Sequence, residues 1–257
     1  MNRHSRLTAV LDTITDSGYV DVAELAKRLQ VSPSTIRRDL TQLSQQNLLA
    51  RTHGGAVPTS VNYDLPVRYR RASSGEEKVR IGRAVAALVP DGAVVGLTGG
   101  TTTTEAARSL AERAPATDPA FTIVTNAINI ASELTVRRHL KLVMTGGVAR
   151  MHSFELTGPL AYDTLAQIDL DVAILGVNAL DPTWGAKVAD EDEAQINRLM
   201  AERARTTIIV ADSSKLSARA FVRVCPLGEI DVLVTDAGAG ADDVARIREA
   251  GVRVVVA

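Results

Sequence analysis

Apolar residues recur along this chain with two different periods, and the change of period divides it. Near the amino end Leu7, Val10, Leu11 and Ile14 fall at i, i+3, i+4 and i+7, the stripe of an amphipathic helix that Asp16, Ser17 and Gly18 should end. A second, short helix is predicted from Asp21 to about Leu29. Asp21 would cap it, Glu24 sits three residues on as in a capping box, and Leu25 and Leu29 supply the buried side. Val31-Ser32-Pro33 makes a tight turn in which Ser32 suits the cap and Pro33 the first helical position. The third helix is predicted from Pro33 to about Gln46, with Ile36, Leu40 and Leu43 on its inner face. Leu48-Leu49-Ala50-Arg51-Thr52 and Ala56-Val57 then flank His53-Gly54-Gly55 as a strand, turn and strand.

After a helical stretch at Glu76 to Val89, the pattern becomes short apolar runs separated by further helices. Strands are predicted at Ala93–Leu97, Phe121–Val124, Leu140–Met144, Val172–Leu175, Thr207–Val210, Val232–Val234 and Val252–Val256. Helices fall near Thr102–Arg113, Ile128–Val136, Pro159–Ile168, Glu191–Ala204 and Asp242–Ala250. This alternation predicts an α/β main domain, a mostly parallel sheet with helices on both faces. Between the two patterns lies a stretch without periodicity that contains Pro58, Pro66 and a basic cluster of Arg68, Arg70 and Arg71. The expected organisation is a small helical domain at residues 1–57, a linker at 58–75 and the α/β domain at 76–257.

Composition narrows the function classes. A chain of 257 residues that is 46% hydrophobic is too long and too apolar to be disordered. Its longest apolar runs, such as Ala84–Val89 and Val252–Ala257, fall far short of the roughly 20 residues of a membrane span. The start, Met1 to Arg6, leads into an amphipathic helix and does not read as a secretory signal. A single cysteine, Cys225, excludes an internal disulfide and a cysteine-rich zinc site. The expectation is a cytoplasmic protein without membrane contact. The formal net charge of −1 conceals an asymmetry: residues 1–83 carry 13 Lys and Arg against 8 Asp and Glu, and the remainder 16 against 22. A basic front on an acidic body suggests that only the front meets a polyanion.

The outward residues of the third helix fit that partner. Ser34, Thr35, Arg37, Arg38, Thr41 and Gln42 point away from the packed face. Arg can reach guanine edges or phosphate, and Ser, Thr and Gln can bond either. A short helix, a tight turn and a second helix with a polar start is helix-turn-helix geometry, and the following strands would form a wing that sets Arg51 and His53 beside the backbone. A helical dimerisation module with a solvated arginine pair is the bland alternative. The candidate DNA-binding set is Ser32, Ser34, Thr35, Arg37, Arg38, Thr41, Arg51 and His53, and the expected partner is double-stranded DNA.

In parallel sheets ligands bind beyond the carboxyl ends of the strands, and the residues there share a character. Thr98-Gly99-Gly100-Thr101-Thr102-Thr103-Thr104 follows the first strand and opens a helix, which suits a phosphate or another small anion. Thr125-Asn126, Thr145-Gly146-Gly147, Gly176-Val177-Asn178 and Asp212-Ser213-Ser214-Lys215 follow later strands. Lys215 offers a cation and Asp212 an acceptor for sugar hydroxyls. Each turn alone is weak; together they indicate a pocket for a polar, anionic metabolite.

The segments Val20 to Ala26, Val31 to Leu40 and His53-Gly54-Gly55-Ala56 closely resemble the N-terminal domain of DeoR-family bacterial transcriptional regulators. The resemblance implies that Val31 to Leu40 spans the recognition helix and that the His-Gly-Gly turn belongs to the wing. It continues through Gly100-Thr101-Thr102, Thr125-Asn126, Gly146-Gly147, Gly158, Asp181 to Gly185, Glu193-Ala194, Asp212 to Lys215 and Thr235-Asp236, in the order of the DeoR-type sensor domain. That domain is similar to the ribose-5-phosphate isomerase and CoA-transferase fold, and the resemblance implies that it binds a phosphorylated sugar that changes operator affinity. Where many members carry an acidic and a small residue before Gly-Thr-Thr, this chain has Thr98-Gly99. The candidate effector-binding residues are Gly99, Gly100, Thr101, Thr102, Thr103, Thr125, Asn126, Gly146, Gly147, Asn178, Asp181, Glu193, Asp212 and Lys215.

An enzyme reading stands beside this one. An aldose–ketose isomerase needs a carboxylate base and a cation near the developing oxyanion, and Asp181, Asp190, Glu193, Asp212 and Lys215 could supply them. The acidic run from Asp190 to Glu193 reads equally as a favourable helix start. No nucleophile elbow, phosphate-binding Walker loop or metal-ligand cluster appears, and His4, His53, His139 and His152 are scattered. The expectation is a non-enzymatic repressor with neither cofactor nor metal, acting as a homo-oligomer because one head contacts few bases.

Overall fold

A computed structural model describes residues 3–17, 19–45, 49–57, 75–113, 116, 118–150, 153–216 and 218–257. The chain divides into two compact units, Met1–Ser73 and Ser74–Ala257. The expected linker falls almost wholly on residues 58–74, and these, like His152, lie outside the described residues.

In the first unit α1 spans Arg3–Ser17, α2 Val22–Arg28 and α3 Pro33–Gln45. The predicted stripe of α1 is buried and meets Leu25 of α2 and Ile36, Leu40 and Leu43 of α3 in one core. Asp21 caps α2 through Oδ1, which accepts the amides of Ala23 at 2.7 Å and Glu24 at 3.1 Å. Ser32 caps α3, its Oγ accepting the Thr35 amide at 3.2 Å. The wing has one strand more than the hydrophobic pattern indicates. β1 (Val20–Asp21), β2 (Ala50–Thr52) and β3 (Gly55–Val57) form an antiparallel sheet in the order β1-β3-β2. A side chain at Gly55 would place its Cβ 2.0 Å from the Val20 carbonyl oxygen, so the third strand can close only on glycine.

The second unit opens with α4 (Glu76–Leu88) and is built on β4 (Val94–Leu97), β5 (Phe121–Thr125), β6 (Leu140–Met144), β9 (Leu170–Gly176), β12 (Ala204–Val210), β14 (Val232–Thr235) and β15 (Arg253–Val256). These make one parallel sheet in the order β15-β14-β12-β9-β4-β5-β6. Side chains alternate across it, as period-2 packing requires. Val95, Leu97, Ile123, Val172, Ile174, Ile208, Val210 and Val234 face a core completed by α4, α5 (Thr101–Glu112) and α6 (Ile128–Leu134). Ala173, Leu175, Ile209 and Leu233 face the other core, which α7 (Pro159–Leu165), α8 (Glu191–Glu202) and Ile247 of α9 (Ala241–Glu249) complete.

Among the described residues of this unit, five strands were not expected. β7 (Val148–Arg150) and β8 (Glu155–Thr157) form a hairpin, and β10 (Ala179–Asp181), β11 (Gly185–Val188) and β13 (Val222–Cys225) a small antiparallel sheet. Each is three or four residues long, too short to display a period. Cys225 is buried in the last of them. Burial, assisted by nearby Glu229, pushes its thiol up to about 12, against the weaker pull of Arg198 and Arg223. Among the described residues, no helix is long and apolar enough to cross a membrane, and no group of His, Cys, Asp and Glu could hold a metal ion.

Candidate functional site

Each unit carries one candidate surface. In the first, α3 presents Ser34, Arg37, Arg38 and Thr41 exposed and Thr35 half-buried, while Ile36, Leu40 and Leu43 are sealed below. Ser32 Oγ lies 2.8 Å from Ser34 Oγ and 2.9 Å from Thr35 Oγ1, so the three hydroxyls cluster at the helix start. Arg51 reaches across from β2. Its Nη1 donates to Thr41 Oγ1 at 2.7 Å and to the Arg37 carbonyl at 3.2 Å, which ties the wing to the helix. His53 is exposed in the wing turn beside Gly54, whose φ of +95° the turn requires.

Between the two exposed arginines and Leu40, Asp39 is buried, at 3% exposure. Arg6 of α1 grips it with Nε at 2.6 Å from Oδ2 and Nη2 at 3.2 Å from Oδ1. This pair was missed from the sequence although a signal existed. Ile36, Asp39, Leu40 and Leu43 share the inner face at i, i+3, i+4 and i+7, so the carboxylate required a buried partner.

In the second unit the strand order reverses between β4 and β9: the chain runs outward through β5 and β6, then returns to the other side of β4. Open parallel sheets bind ligands at such a switch point, outside the carboxyl ends of the strands. Here those ends are Thr98-Gly99-Gly100 and Gly176-Val177-Asn178. They approach closely: a Cβ on Gly176 would lie 3.0 Å from the Gly99 oxygen and 3.3 Å from Thr103 Cγ2. The buried Thr98 ties the two strands, its Oγ1 accepting the Gly176 amide at 3.0 Å. Gly100 takes φ +127° to turn the chain into α5, and its carbonyl accepts the hydroxyls of Thr103 at 3.0 Å and Thr104 at 2.7 Å. Thr101 is half-buried at the first helical position and Thr102 is buried behind it.

The remaining candidates divide by what their polar atoms do. Asn126 is fully buried; its Nδ2 donates to the Leu156 carbonyl at 3.2 Å, and its Oδ1 has no hydrogen-bond partner among the described residues. Glu193 Oε2 accepts from Arg150 Nη1 at 3.3 Å, and Arg150 Nη2 also holds Asp190 Oδ2 at 2.9 Å. Gly146 and Gly147 turn with φ of +73° and +117° after β6, two strands beyond β4. Other side chains are occupied by backbone. The buried Thr125 hydroxyl donates to the Leu97 carbonyl at 2.6 Å and accepts the Ala127 amide at 3.0 Å. Asn178 Oδ1 accepts the Ala189 amide, and Asp181 Oδ1 those of Thr183 and Trp184.

Asp212 and Lys215 stand on the other side of β9. Asp212 Oδ1 accepts the Ser214 amide at 3.1 Å and the Ser214 hydroxyl. Lys215 is half-buried; its backbone amide donates to the Asp212 carbonyl at 2.9 Å, and its ammonium has no hydrogen bond or ion pair among the described residues. Its loop is fixed by the buried Asp236, which accepts the amides of Ser213 at 2.6 Å and Gly238 at 2.8 Å. Burial alone would raise the Asp236 carboxyl, but these amide bonds outweigh it and hold the group below its ordinary value. A carboxyl lowered on folding stabilises the fold above its unfolded value, near 4, and that stabilisation is lost as pH falls through the lower folded value. The variant Asp236→Asn should therefore melt lower than the parent at pH 7, by about 1–3 kcal/mol for a lost buried hydrogen bond. The difference should shrink in melts recorded below pH 4.

Residues 73–237 match the DeoR C terminal sensor domain, and residues 6–61 the DeoR-like helix-turn-helix domain. The chain is 33% identical over 237 residues to the glycerol-3-phosphate regulon repressor of Escherichia coli (strain K12), with 92% of each chain covered. It is 37% identical over 251 residues to the HTH-type transcriptional regulator GlpR of Haloferax volcanii, covering 97% of this chain and 96% of the relative. Among solved structures, ribose 5-phosphate isomerase A of Methanocaldococcus jannaschii is 19% identical with a TM-score of 0.40, over 54% of this chain and 53% of that one, too low a likeness to bear on activity.

Proposed function

The chain belongs to the DeoR family of transcriptional regulators, and from that premise we propose that it is a repressor whose hold on its operator is released by a phosphorylated sugar or polyol. The observation that carries the DNA-binding half is the exposure of Arg37 and Arg38 on a helix whose opposite face is locked into the core of the head. Ser32, Ser34, Thr35, Thr41, Arg51 and His53 complete the contact surface, with Arg51 acting as a brace that holds wing and helix together as much as a phosphate ligand.

The effector half is supported by the topological switch point between β4 and β9 and by the name of the Escherichia coli relative, a glycerol-3-phosphate regulon repressor. The amides that open α5 and the hydroxyls of Thr101 and Thr102 would receive the phosphate, while Thr103, whose hydroxyl donates to the Gly100 carbonyl, would hold the turn. Lys215 would add a cation from two strand spacings away, about 10 Å. Asn126, Gly146-Gly147, Asn178 and Glu193 would shape the remainder. Thr125, Asp181 and Asp212 would serve by holding turns. Three of the carboxylates that an isomerase would need already accept backbone amides as turn or helix caps, Asp181, Asp190 and Asp212. This favours a sensor that performs no turnover. The protein would act as a cytoplasmic homo-oligomer on paired half-sites.

Release requires that the effector bind the DNA-competent and DNA-free states unequally; tight binding alone shifts nothing. The test is fluorescence anisotropy of the full chain on duplex DNA from upstream of its own gene, with phosphorylated sugars and polyols titrated in. Salt-dependent binding that one of them reverses is expected. Failure to bind DNA, or isomerisation of ribose 5-phosphate by the pure protein, would overturn the reading.

A further inference from the structure

Arginines from two other elements hold α3 on its two flanks. Arg51 of β2 donates to Thr41 Oγ1 at 2.7 Å. From the first residue of α1, Arg3 Nη2 donates to Gln42 Oε1 at 2.5 Å, across 39 positions of sequence. At about 100° per residue, Thr41 and Gln42 lie on opposite flanks of the outward face. A helix about 10–12 Å across fills a major groove about 12 Å wide, so both flanks meet the walls of the groove.

The two arginine ties between α1 and α3 differ in kind. Arg6 is neutralised by the buried Asp39 and serves packing. Arg3 is exposed, its partner is a neutral amide, and it has no ion pair among the described residues. Its charge is thus held in place and left open to an acceptor. Arg3 also settles how Gln42 points. A guanidinium has donors only, so the atom of Gln42 that faces it is the carbonyl oxygen. The half-buried Gln42 keeps its Nε2 group as a donor with no hydrogen-bond partner among the described residues.

A glutamine that reads adenine uses both ends of its amide, Oε1 for the N6 amino group and Nε2 for N7. Here Arg3 occupies Oε1 and sets its own N–H groups beside it, so an adenine amino group would meet donors. Guanine O6 and N7, or phosphate oxygens, are acceptors and suit the same arrangement. We propose that Arg3 and Gln42 form one DNA-contacting unit that offers donors only, meets a guanine edge or a phosphate, and refuses adenine. This rests on the DNA-binding reading above and extends the contact surface of the head to α1.

The test uses the full-length parent, Arg3→Ala, Arg3→Lys, Gln42→Ala and the variant that combines Arg3→Ala with Gln42→Ala. Each selects sites from a randomised duplex library and is then titrated by anisotropy against the site that the parent selects. Arg3→Ala should weaken that complex about tenfold with an unchanged melting curve, and Arg3→Lys should recover part of the loss. The combined variant should lose less than the sum of the two single losses, as residues acting together do. Two outcomes distinguish the acceptors. On a guanine edge, Arg3→Ala frees Oε1, and its selected sites should admit adenine where the parent takes guanine. On a phosphate, the selected sequence should stay the same while the slope of log affinity against log salt falls by about one. Parental affinity, site preference and salt slope in Arg3→Ala would overturn the proposal, and strictly additive losses would overturn the joint unit. A loss that comes with a lower melting temperature of the head would make the pair a packing clamp and overturn it as well. If the parent selects no sequence and binds no duplex, the DNA-binding reading fails and this assignment with it.

Discussion

Replacing Arg37 and Arg38 together by alanine should abolish specific DNA binding while leaving the melting curve of the protein unchanged. Both side chains are exposed, so neither is part of the packing that holds α3 in place. A good base or phosphate contact by arginine is worth about 1–3 kcal/mol, so the pair should cost about 2–6 kcal/mol, roughly 30- to 10⁴-fold in affinity. Anisotropy titrations over a range of salt concentrations separate two roles. An arginine on phosphate lowers the slope of log affinity against log salt by about one when removed, whereas one on a guanine edge changes discrimination between sequences. Retention of parental affinity by the double variant would show that another surface carries the contact.

The second large effect lies one residue further along the helix. Asp39→Ala should leave the Arg6 guanidinium in a half-closed site without its carboxylate, and Arg6→Ala should strand a carboxylate whose side chain is 4% exposed. Breaking a buried pair by removing one partner costs about 3–5 kcal/mol. A domain this small has little stability in reserve, so the head should unfold separately and at lower temperature than the sensor unit. Two-step melting by circular dichroism, with early hydrogen exchange confined to α1 and α3, is the expected signature. Replacing both partners by apolar residues should recover much of the loss, because no charge is then left buried. A melting curve for Asp39→Ala that coincides with the parent's would show that water reaches the site and that the pair contributes nothing.

How legible these features are in the sequence depends on whether their cause is local. The helices of the head and the seven strands of the main sheet come from periodic burial, and Leu7 to Ile14 or Val232 to Val234 display it within a few residues. Caps are local too, so Asp21 and Ser32 can be assigned from spacing alone. The hairpin β7–β8 and the sheet of β10, β11 and β13 are short segments held by long-range pairing, for which Val148-Ala149-Arg150 gives no periodic sign. Glu155 illustrates the loss. Nothing near it in sequence distinguishes it from a surface glutamate, and only the return of β8 beneath Gly99, whose amide Oε1 accepts at 2.9 Å, makes it a buried acceptor. Arg150 is likewise anonymous until the fold sets Asp190 and Glu193 around it. Asp39 is the intermediate case: its place on an apolar helical face called for a partner, but not for Arg6 in particular.

The burial of Cys225 has a practical consequence for these measurements. Maleimide dyes attack the thiolate, a form that a group pushed up to about 12 hardly populates at neutral pH, and the sulfur is covered besides. The natural chain is therefore close to blank toward thiol-directed fluorophores. A cysteine introduced at an exposed head position such as Lys27 would take the dye almost alone, and motion of the head on operator and effector could be followed without first deleting a native residue.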